Sequence, residues 1–231
     1  MQERANLWLY AFWAFAGVEI LGEIMHFHQI IYATKPFMMP LLAIWFAKET
    51  ADENFHKRAR TFIIIGLILS ALGDTLLMLD REFQGAGFFL FGLGAFLCTH
   101  ICYTIALFSM AGARVGYMRR NIWLLLPFLL YLAFFLKLLW PGIPEGMQVP
   151  VAVYGTAITI MALAAVNLRD HVPLRGYRMV VFGALFFLLS DSLIGIARFV
   201  TPFRGAGIAI MVTYIVGQYG IARGVKEIFW E

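Results

Sequence analysis

Charged residues are scarce in this sequence of 231 residues, because Asp, Glu, Lys and Arg together make up only 14% of it. A soluble globule of this size needs more polar side chains to cover its surface. Apolar residues instead account for 61% of the chain, and the mean hydropathy is +0.79. These values exclude a soluble fold and predict an all-α polytopic membrane protein.

Cysteine and histidine are also few. The two cysteines, Cys98 and Cys102, stand one helical turn apart in an apolar stretch, and we expect both to be small buried residues. Of the five histidines, only His100 lies inside a predicted span, so a buried site of three histidines for zinc cannot be assembled. We therefore expect neither a metal nor a cofactor.

The chain lacks room for a basic surface domain, although its net charge is +4 and its isoelectric point about 9.2. Binding of nucleic acid needs such a domain, so we expect no nucleic-acid partner. The positive charge has a simpler explanation in membrane topology. Most of the 18 lysines and arginines fall at the termini and in the loops on the same side of the membrane, which predicts that both termini are cytoplasmic.

Long apolar runs fill nearly the whole sequence. A membrane-spanning helix needs roughly 20 predominantly apolar residues, and eight stretches meet this requirement. They cover about 7–25, 30–47, 61–79, 86–109, 122–140, 149–166, 178–199 and 205–223. We predict a single transmembrane domain over residues 1–231, with eight spanning helices joined by short loops.

Two of these spans contain an aspartate in a matching local pattern. Asp74 and Asp191 each follow a small residue and precede a hydroxyl residue and a leucine, and a glycine stands eight residues before each. The recurrence suggests two parallel four-helix repeats, at about 1–140 and 141–231. The shared composition of membrane helices is the alternative explanation.

Five ionisable residues inside the spans fall at one predicted depth. A helix rises ~1.5 Å per residue, and on this scale five residues from five spans lie in the outer third: Glu19, Lys35, Asp74, Tyr154 and Asp191. A charge at bilayer depth costs on the order of 3 kcal/mol or more, so such residues usually face the bundle interior and mark a functional site. We expect them to line one polar cavity.

A structural role is the alternative for the same residues. An Asp–Lys ion pair, or hydrogen bonds from the neighbouring hydroxyls of Ser70, Ser190 and Ser192, could hold the helices in register. Four further residues lie deeper, in two pairs that share a helix face: His100 with Tyr103, and Gln218 with Tyr214. They either line the floor of the cavity or form hydrogen bonds between helices.

Two carboxyl groups facing each other in a low dielectric do not both ionise easily, which leaves a protonated acid beside a carboxylate. This arrangement is typical of general acid and general base catalysis of bond cleavage by water. Proton-coupled transporters also place carboxylates within the membrane. A small transporter using the same aspartates is therefore the alternative function.

Five segments, in order and spacing, resemble the YhhN family of lysoplasmalogenases. They are TKPFMMPLL (34–42), ALGDTLLM (71–78), FGLGAFLCTHICY (91–103), GALFFLLSDSLI (183–194) and YIVGQYGIARG (214–224). The resemblance implies an eight-span membrane enzyme that hydrolyses the vinyl-ether bond of lysoplasmalogens. The products would be a fatty aldehyde and glycerophosphoethanolamine or glycerophosphocholine.

The resemblance also suggests roles for the residues identified above. Asp74 and Asp191 would act as acid and base, in an order that the sequence leaves open, and Lys35 would pair with the substrate phosphate. The other residues expected to line or orient the cavity are Glu19, His100, Tyr103, Tyr154, Ser190 and Gln218. The expected partners are a lysophospholipid substrate and the lipid bilayer, and the oligomeric state is left open. Compact length favours a bacterial inner membrane, with an internal eukaryotic membrane as the alternative.

Overall fold

The computed structural model describes residues 2–52, 56–83, 87–111 and 116–230, and within these ranges it contains helices and no strand. Helices α1 to α4 are long. The short helix α5 is followed by α6, which has a 3₁₀ turn at each end (Ile122–Leu124 and Trp140–Gly142), and a third 3₁₀ turn, Glu145–Met147, precedes α7. The bounds are α1 Gln2–Met25, α2 His28–Glu49, α3 Lys57–Glu82, α4 Phe88–Ala111, α5 Tyr117–Arg120, α6 Leu125–Leu139, α7 Gln148–Asn167, α8 Leu174–Phe199 and α9 Ala206–Trp230.

Eight helical segments of the described chain are long and apolar enough to cross a membrane, which confirms the predicted number of spans. The chain is an integral, multi-pass membrane protein. Most of its helices are longer than the apolar stretches. For example, Lys57–Glu82 and Ala206–Trp230 extend beyond the predicted 61–79 and 205–223. Backbone hydrogen bonding continues past the hydrocarbon region, where polar side chains such as Lys57 become favourable. The cytoplasmic location of both termini stays a prediction.

The helices group into two compact units, Met1–Ala106 and Leu107–Glu231, whose boundary falls within α4. In unit 1, α2 packs against both α1 and α3. In unit 2, α8 packs against α7 and most extensively against α9, and α6 packs against α7. The predicted repeats at about 1–140 and 141–231 stay a prediction.

Small residues let α3 and α4 approach closely in unit 1. A Cβ atom on Gly66 would lie 2.7 Å from Cδ1 of the Tyr103 ring, and one on Gly73 would lie 2.6 Å from Cδ2 of Phe96. These distances are shorter than van der Waals contact, so only glycine fits at either position. Each missing side chain on α3 thus accommodates an aromatic ring of α4.

In unit 2, the contact between α8 and α9 is closer still, since backbone meets backbone. A Cβ on Gly183 would lie 2.7 Å from the carbonyl oxygen of Gly217, and one on Gly217 would lie 2.7 Å from the amide nitrogen of Phe187. Gly176, Gly220 and Gly224 make similar approaches across the same two helices. Small residues at helical spacing are the usual means of close packing in membranes, where lipid removes the hydrophobic drive between helices.

Large apolar side chains cover the outer helix faces, as contact with lipid tails requires. On and just before α6 they include Trp123, Leu126, Leu130 and Phe134, all of which are exposed. Cys98 is also exposed while Cys102 is buried, so the expectation that both cysteines are buried is wrong for Cys98. Although the two cysteines lie one helical turn apart, the Cys98 side chain lies on the exposed surface of α4.

Candidate active site

Unit 1 contains an ion pair between α1 and α2, away from the end at which these two helices are joined. Lys35 Nζ lies 4.0 Å from Glu19 Oε1, and the Glu19 side chain is completely buried. The hydroxyl of Thr34 donates a hydrogen bond to Glu19 Oε2 and also lies 2.8 Å from the carbonyl oxygen of Ile30. Two of the residues predicted to share one depth, Glu19 and Lys35, are therefore neighbours.

The sequence of α2 weakens the helix at the position of Lys35. Pro36 and Pro40 lie inside α2, and proline has no N–H with which to continue the helical hydrogen bonds. Such breaks are tolerated in membrane helices where neighbouring helices and hydroxyl side chains supply other partners. Lys35 therefore enters the interior of unit 1 directly before an interrupted turn.

A second ion pair lies nearer the same end of unit 1. Arg81 Nη1, near the end of α3, is 3.7 Å from Glu23 Oε1 of α1. Glu23 is only 9% exposed, whereas half of the Arg81 side chain is exposed. Next to it, the hydroxyl of Tyr32 donates a 2.8 Å hydrogen bond to Oε2 of the exposed Glu82. The end of unit 1 where α1 meets α2 is thus rich in paired charges.

Asp74 is buried on α3, with 4% of its surface exposed. One turn before it, Ser70 is hydrogen-bonded to Tyr103 and lies 3.3 Å from the Thr99 hydroxyl, to which it donates. His100, the neighbour of Thr99 on α4, is completely buried. Polar side chains of α3 and α4 therefore contact each other one helical turn before Asp74.

In unit 2, Asp191 of α8 accepts a hydrogen bond on Oδ2 from the hydroxyl of Tyr154, which belongs to α7. Asp191 is 8% exposed. Two residues predicted independently from their depth are thus joined directly. A hydrogen bond donated to one oxygen fixes the orientation of the Asp191 carboxyl group.

The serines on either side of Asp191 have other partners. Ser192 donates to the carbonyl oxygen of Leu188 at 2.6 Å, and the Tyr131 hydroxyl lies 2.7 Å from Ser192 Oγ. A carbonyl oxygen can only accept a hydrogen bond, so the single hydroxyl hydrogen of Ser192 points to Leu188. Tyr131 is therefore the donor in its hydrogen bond with Ser192. Ser190 donates to the carbonyl oxygen of Ile210 at 3.1 Å. Neither hydroxyl therefore donates to Asp191, as the alternative structural role would require.

The deeper pair on α9 is also enclosed. Gln218 has no exposed surface, and Tyr214 is 3% exposed with its ring packed edge-on against Phe187 of α8, the centroids 5.7 Å apart. No group of three or more His, Cys, Asp or Glu side chains within the described ranges is arranged to hold a metal ion.

Comparison with models of protein families shows how the chain is related to known proteins. The model of the YhhN family matches residues 30–225. The chain belongs to the YhhN family. Its relatives include the lysoplasmalogenase of Mycobacterium tuberculosis, which is 31% identical over 209 residues. That alignment covers 90% of this chain and 73% of the relative.

Animal proteins match the same YhhN chain. The human lysoplasmalogenase TMEM86A is 31% identical over 197 residues, covering 82% of this chain and 76% of the relative. The human lysoplasmalogenase TMEM86B is 29% identical over 152 residues, covering 66% of this chain and 58% of the relative. No solved structure gave a significant match.

In this YhhN protein, several polar residues not predicted from the sequence lie next to predicted ones. Tyr131 is the hydroxyl-bearing residue of an otherwise apolar stretch, LLPFLLYLAFFL, and that isolation was a usable signal. Asp80 is buried and accepts a 3.0 Å hydrogen bond from the amide of Phe89, so it caps the start of α4. The sequence position of Arg81 does not reveal its contact with Glu23.

Proposed function

We propose that this protein is a lysoplasmalogenase, which hydrolyses the vinyl-ether bond of lysoplasmalogens to a fatty aldehyde and a glycerophospho-ethanolamine or -choline. The single observation that carries the proposal is the long alignment with YhhN relatives named lysoplasmalogenase. The relatives named above include no transporter, so the transporter alternative has no support among them.

The reaction needs an acid, an anion and an activated water. The acid transfers its proton to the β-carbon of the vinyl ether, and the π electrons of the double bond form the new C–H bond. The resulting oxocarbenium ion is captured by water, which loses a proton to the base and forms a hemiacetal. Collapse of the hemiacetal breaks the bond to the glycerol oxygen, which leaves with a proton, and yields the aldehyde.

We assign the proton transfers to Asp74 and Asp191, both of which are buried. A donated hydrogen bond compensates negative charge on a carboxylate, and the Tyr154 hydroxyl supplies one to Asp191. This contact suits Asp191 to the part of the anion and base, and leaves Asp74 as the acid. General acid and base catalysis of this kind uses side chains within hydrogen-bond reach of the reacting groups.

The test of the function compares three lipids of equal chain length with purified protein in detergent. Fatty aldehyde should appear from the 1-alkenyl lysolipid, and not from the saturated 1-alkyl ether, which has no double bond to protonate. The 1-acyl lysolipid should release no fatty acid. If the folded protein releases no aldehyde from the alkenyl lipid, the proposed function is wrong.

The mechanism predicts where a solvent proton is incorporated. In D₂O, the released aldehyde should carry one deuterium on the carbon next to the carbonyl, because that carbon is the β-carbon of the vinyl ether. Rapid capture of the aldehyde as a hydrazone, followed by mass spectrometry, measures the label. An unlabelled aldehyde would exclude protonation of carbon from an exchangeable acid.

Tyr154 is proposed as a positioning residue for Asp191. Tyr154→Phe removes the donor and leaves the ring, so kcat should fall by about 10- to 100-fold while KM changes little. The pH profile of kcat should also shift, which a purely structural role would not produce. Tyr131→Phe is the matched control, because the Tyr131 hydroxyl binds Ser192. An equal loss in both variants, with no change of pH profile, would contradict the assignment.

A further inference from the structure

Glu19 and Glu23 stand one turn apart on α1, and therefore share a face of the helix. Both are at least nine-tenths buried. Buried carboxylate oxygens in proteins nearly always have hydrogen-bond donors. Within the described part of the chain, however, Glu19 Oε1 and Glu23 Oε1 have no hydrogen-bond partner. Two acceptors on one helix face are thus left available for donors from outside the protein.

The two nearby cations, Lys35 and Arg81, do not donate hydrogen bonds to these two oxygens. Lys35 Nζ is 4.0 Å from Glu19 Oε1 and Arg81 Nη1 is 3.7 Å from Glu23 Oε1. Both distances exceed those of N–H···O hydrogen bonds, which are about 2.7–3.2 Å. Each cation is close enough to attract its carboxylate, and it has N–H groups that can donate hydrogen bonds to a ligand. The cluster therefore presents unfilled acceptors on α1 beside available donors on α2 and α3.

A ligand that matches this cluster carries both signs of charge. Its cation needs N–H groups for the two glutamates, and its anion needs acceptors for Lys35 and Arg81. A phosphate oxygen suits both cations, and the guanidinium of Arg81 can bind two phosphate oxygens at once. A primary ammonium joined to a phosphate by a short link meets both requirements, and the phosphoethanolamine headgroup of a lysolipid is such a group.

The position of Arg81 on α3 fits this occupant. Arg81 follows Asp74 by seven residues, so both lie on nearly the same face of α3, about 10 Å apart along its axis. In a lysoplasmalogen the vinyl ether and the phosphate are attached to opposite ends of one glycerol. Asp74, the proposed acid, and Arg81 of the charge cluster thus lie along α3 in the order of the reacting bond and the headgroup.

We propose that Glu19, Glu23, Lys35 and Arg81 bind the phosphoethanolamine headgroup of the substrate and select it over phosphocholine. The ammonium donates hydrogen bonds to Glu19 Oε1 and Glu23 Oε1, while the phosphate accepts them from Lys35 and Arg81. A trimethylammonium group has no N–H, so choline leaves both buried oxygens without donors. This inference rests on the proposed function for its substrate, and it concerns unit 1 alone.

The first test measures aldehyde release from two lysoplasmalogens that differ only in the headgroup. The kcat/KM for the ethanolamine lipid should exceed that for the choline lipid by about tenfold or more, since each unmet buried acceptor is costly. Glu23→Gln should reduce this ratio severalfold. Glu82→Gln is the matched control, because it removes an exposed carboxylate from the same end of α3, and its ratio should equal that of the unmodified protein.

A second measurement needs no variant and no turnover. Glycerophosphoethanolamine should raise the thermal unfolding temperature of the protein in detergent, whereas glycerophosphocholine at the same concentration should not, because ligands that bind the folded state stabilise it. Equal rates and equal protection with both headgroups would overturn the headgroup inference and leave the proposed function intact. Selective protection without any aldehyde release would support the inference and overturn the proposed function.

Discussion

Asp191→Asn and Asp74→Asn are each expected to lower kcat for vinyl-ether hydrolysis by about 10²- to 10⁴-fold, the range typical of lost general acid–base catalysis. Asparagine has nearly the shape of aspartate, but it can neither deliver a proton to carbon nor take one from water. It also carries no charge to stabilise the oxocarbenium ion. KM should change much less, because neither residue is proposed to bind the headgroup.

Asp80→Asn supplies the matched control for these variants. Asp80 is buried in α3 like Asp74, but its carboxyl oxygen caps α4 through the amide of Phe89. Asparagine keeps a side-chain oxygen that can accept the same hydrogen bond, so turnover and stability should stay near those of the unmodified protein. Full activity in either catalytic variant, or an equal loss in Asp80→Asn, would remove the basis for assigning Asp74 and Asp191 as acid and base.

The number and rough positions of the spans could be predicted because a bilayer requires long apolar runs, and few other structures produce them. Asp74 and Asp191 could be selected for a related reason. A charge inside such a run is costly, so it stands out against its neighbours without any knowledge of the fold. Both are buried, as this argument requires.

The partners of these residues were harder to predict, because helix rotation and hydrogen-bond competition decide them. Under the alternative structural role, Ser190 and Ser192 would donate to Asp191. Ser192 instead donates to the carbonyl oxygen of Leu188 one turn earlier, the usual competitor for a serine hydroxyl in a helix. Ser190 donates to the carbonyl oxygen of Ile210 on α9. The donor to Asp191 comes from Tyr154, on another helix. Sequence gives the depth of a residue along its helix, but not the neighbour that its side chain meets.

Two glycines of α4 show that the sequence also does not reveal which residue a given helix position faces. Gly92 and Gly94 lie two residues apart on α4, and a Cβ on Gly92 would come 2.9 Å from the side chain of Leu77. A Cβ on Gly94 would meet nothing within 4 Å. Their surroundings in the sequence are equally apolar, so only the rotation of α4 in the fold distinguishes a packing position from an open one.

Gly183→Ala is expected to cause a large loss of stability in unit 2. The added methyl would lie 2.7 Å from the carbonyl oxygen of Gly217 and equally close to the carbonyl carbon of Gly220. Backbone atoms cannot rotate away as a side chain does, so α8 and α9 must separate along their contact. Overpacking costs typically 1–3 kcal/mol, and the separation also weakens neighbouring contacts at Gly176 and Gly224. The unfolding temperature and the yield of monodisperse protein in detergent should both fall clearly.

Gly94→Ala makes the matched comparison, because it adds the same methyl group to a helical glycine in open space. Alanine is favoured over glycine within a helix by about 1 kcal/mol in water, so this variant should be at least as stable as the unmodified protein. The two substitutions should therefore shift the unfolding temperature in opposite directions. If Gly183→Ala were as stable as Gly94→Ala, α8 and α9 would not be in backbone contact, and Asp191 would lack the rigid support that its part in catalysis requires.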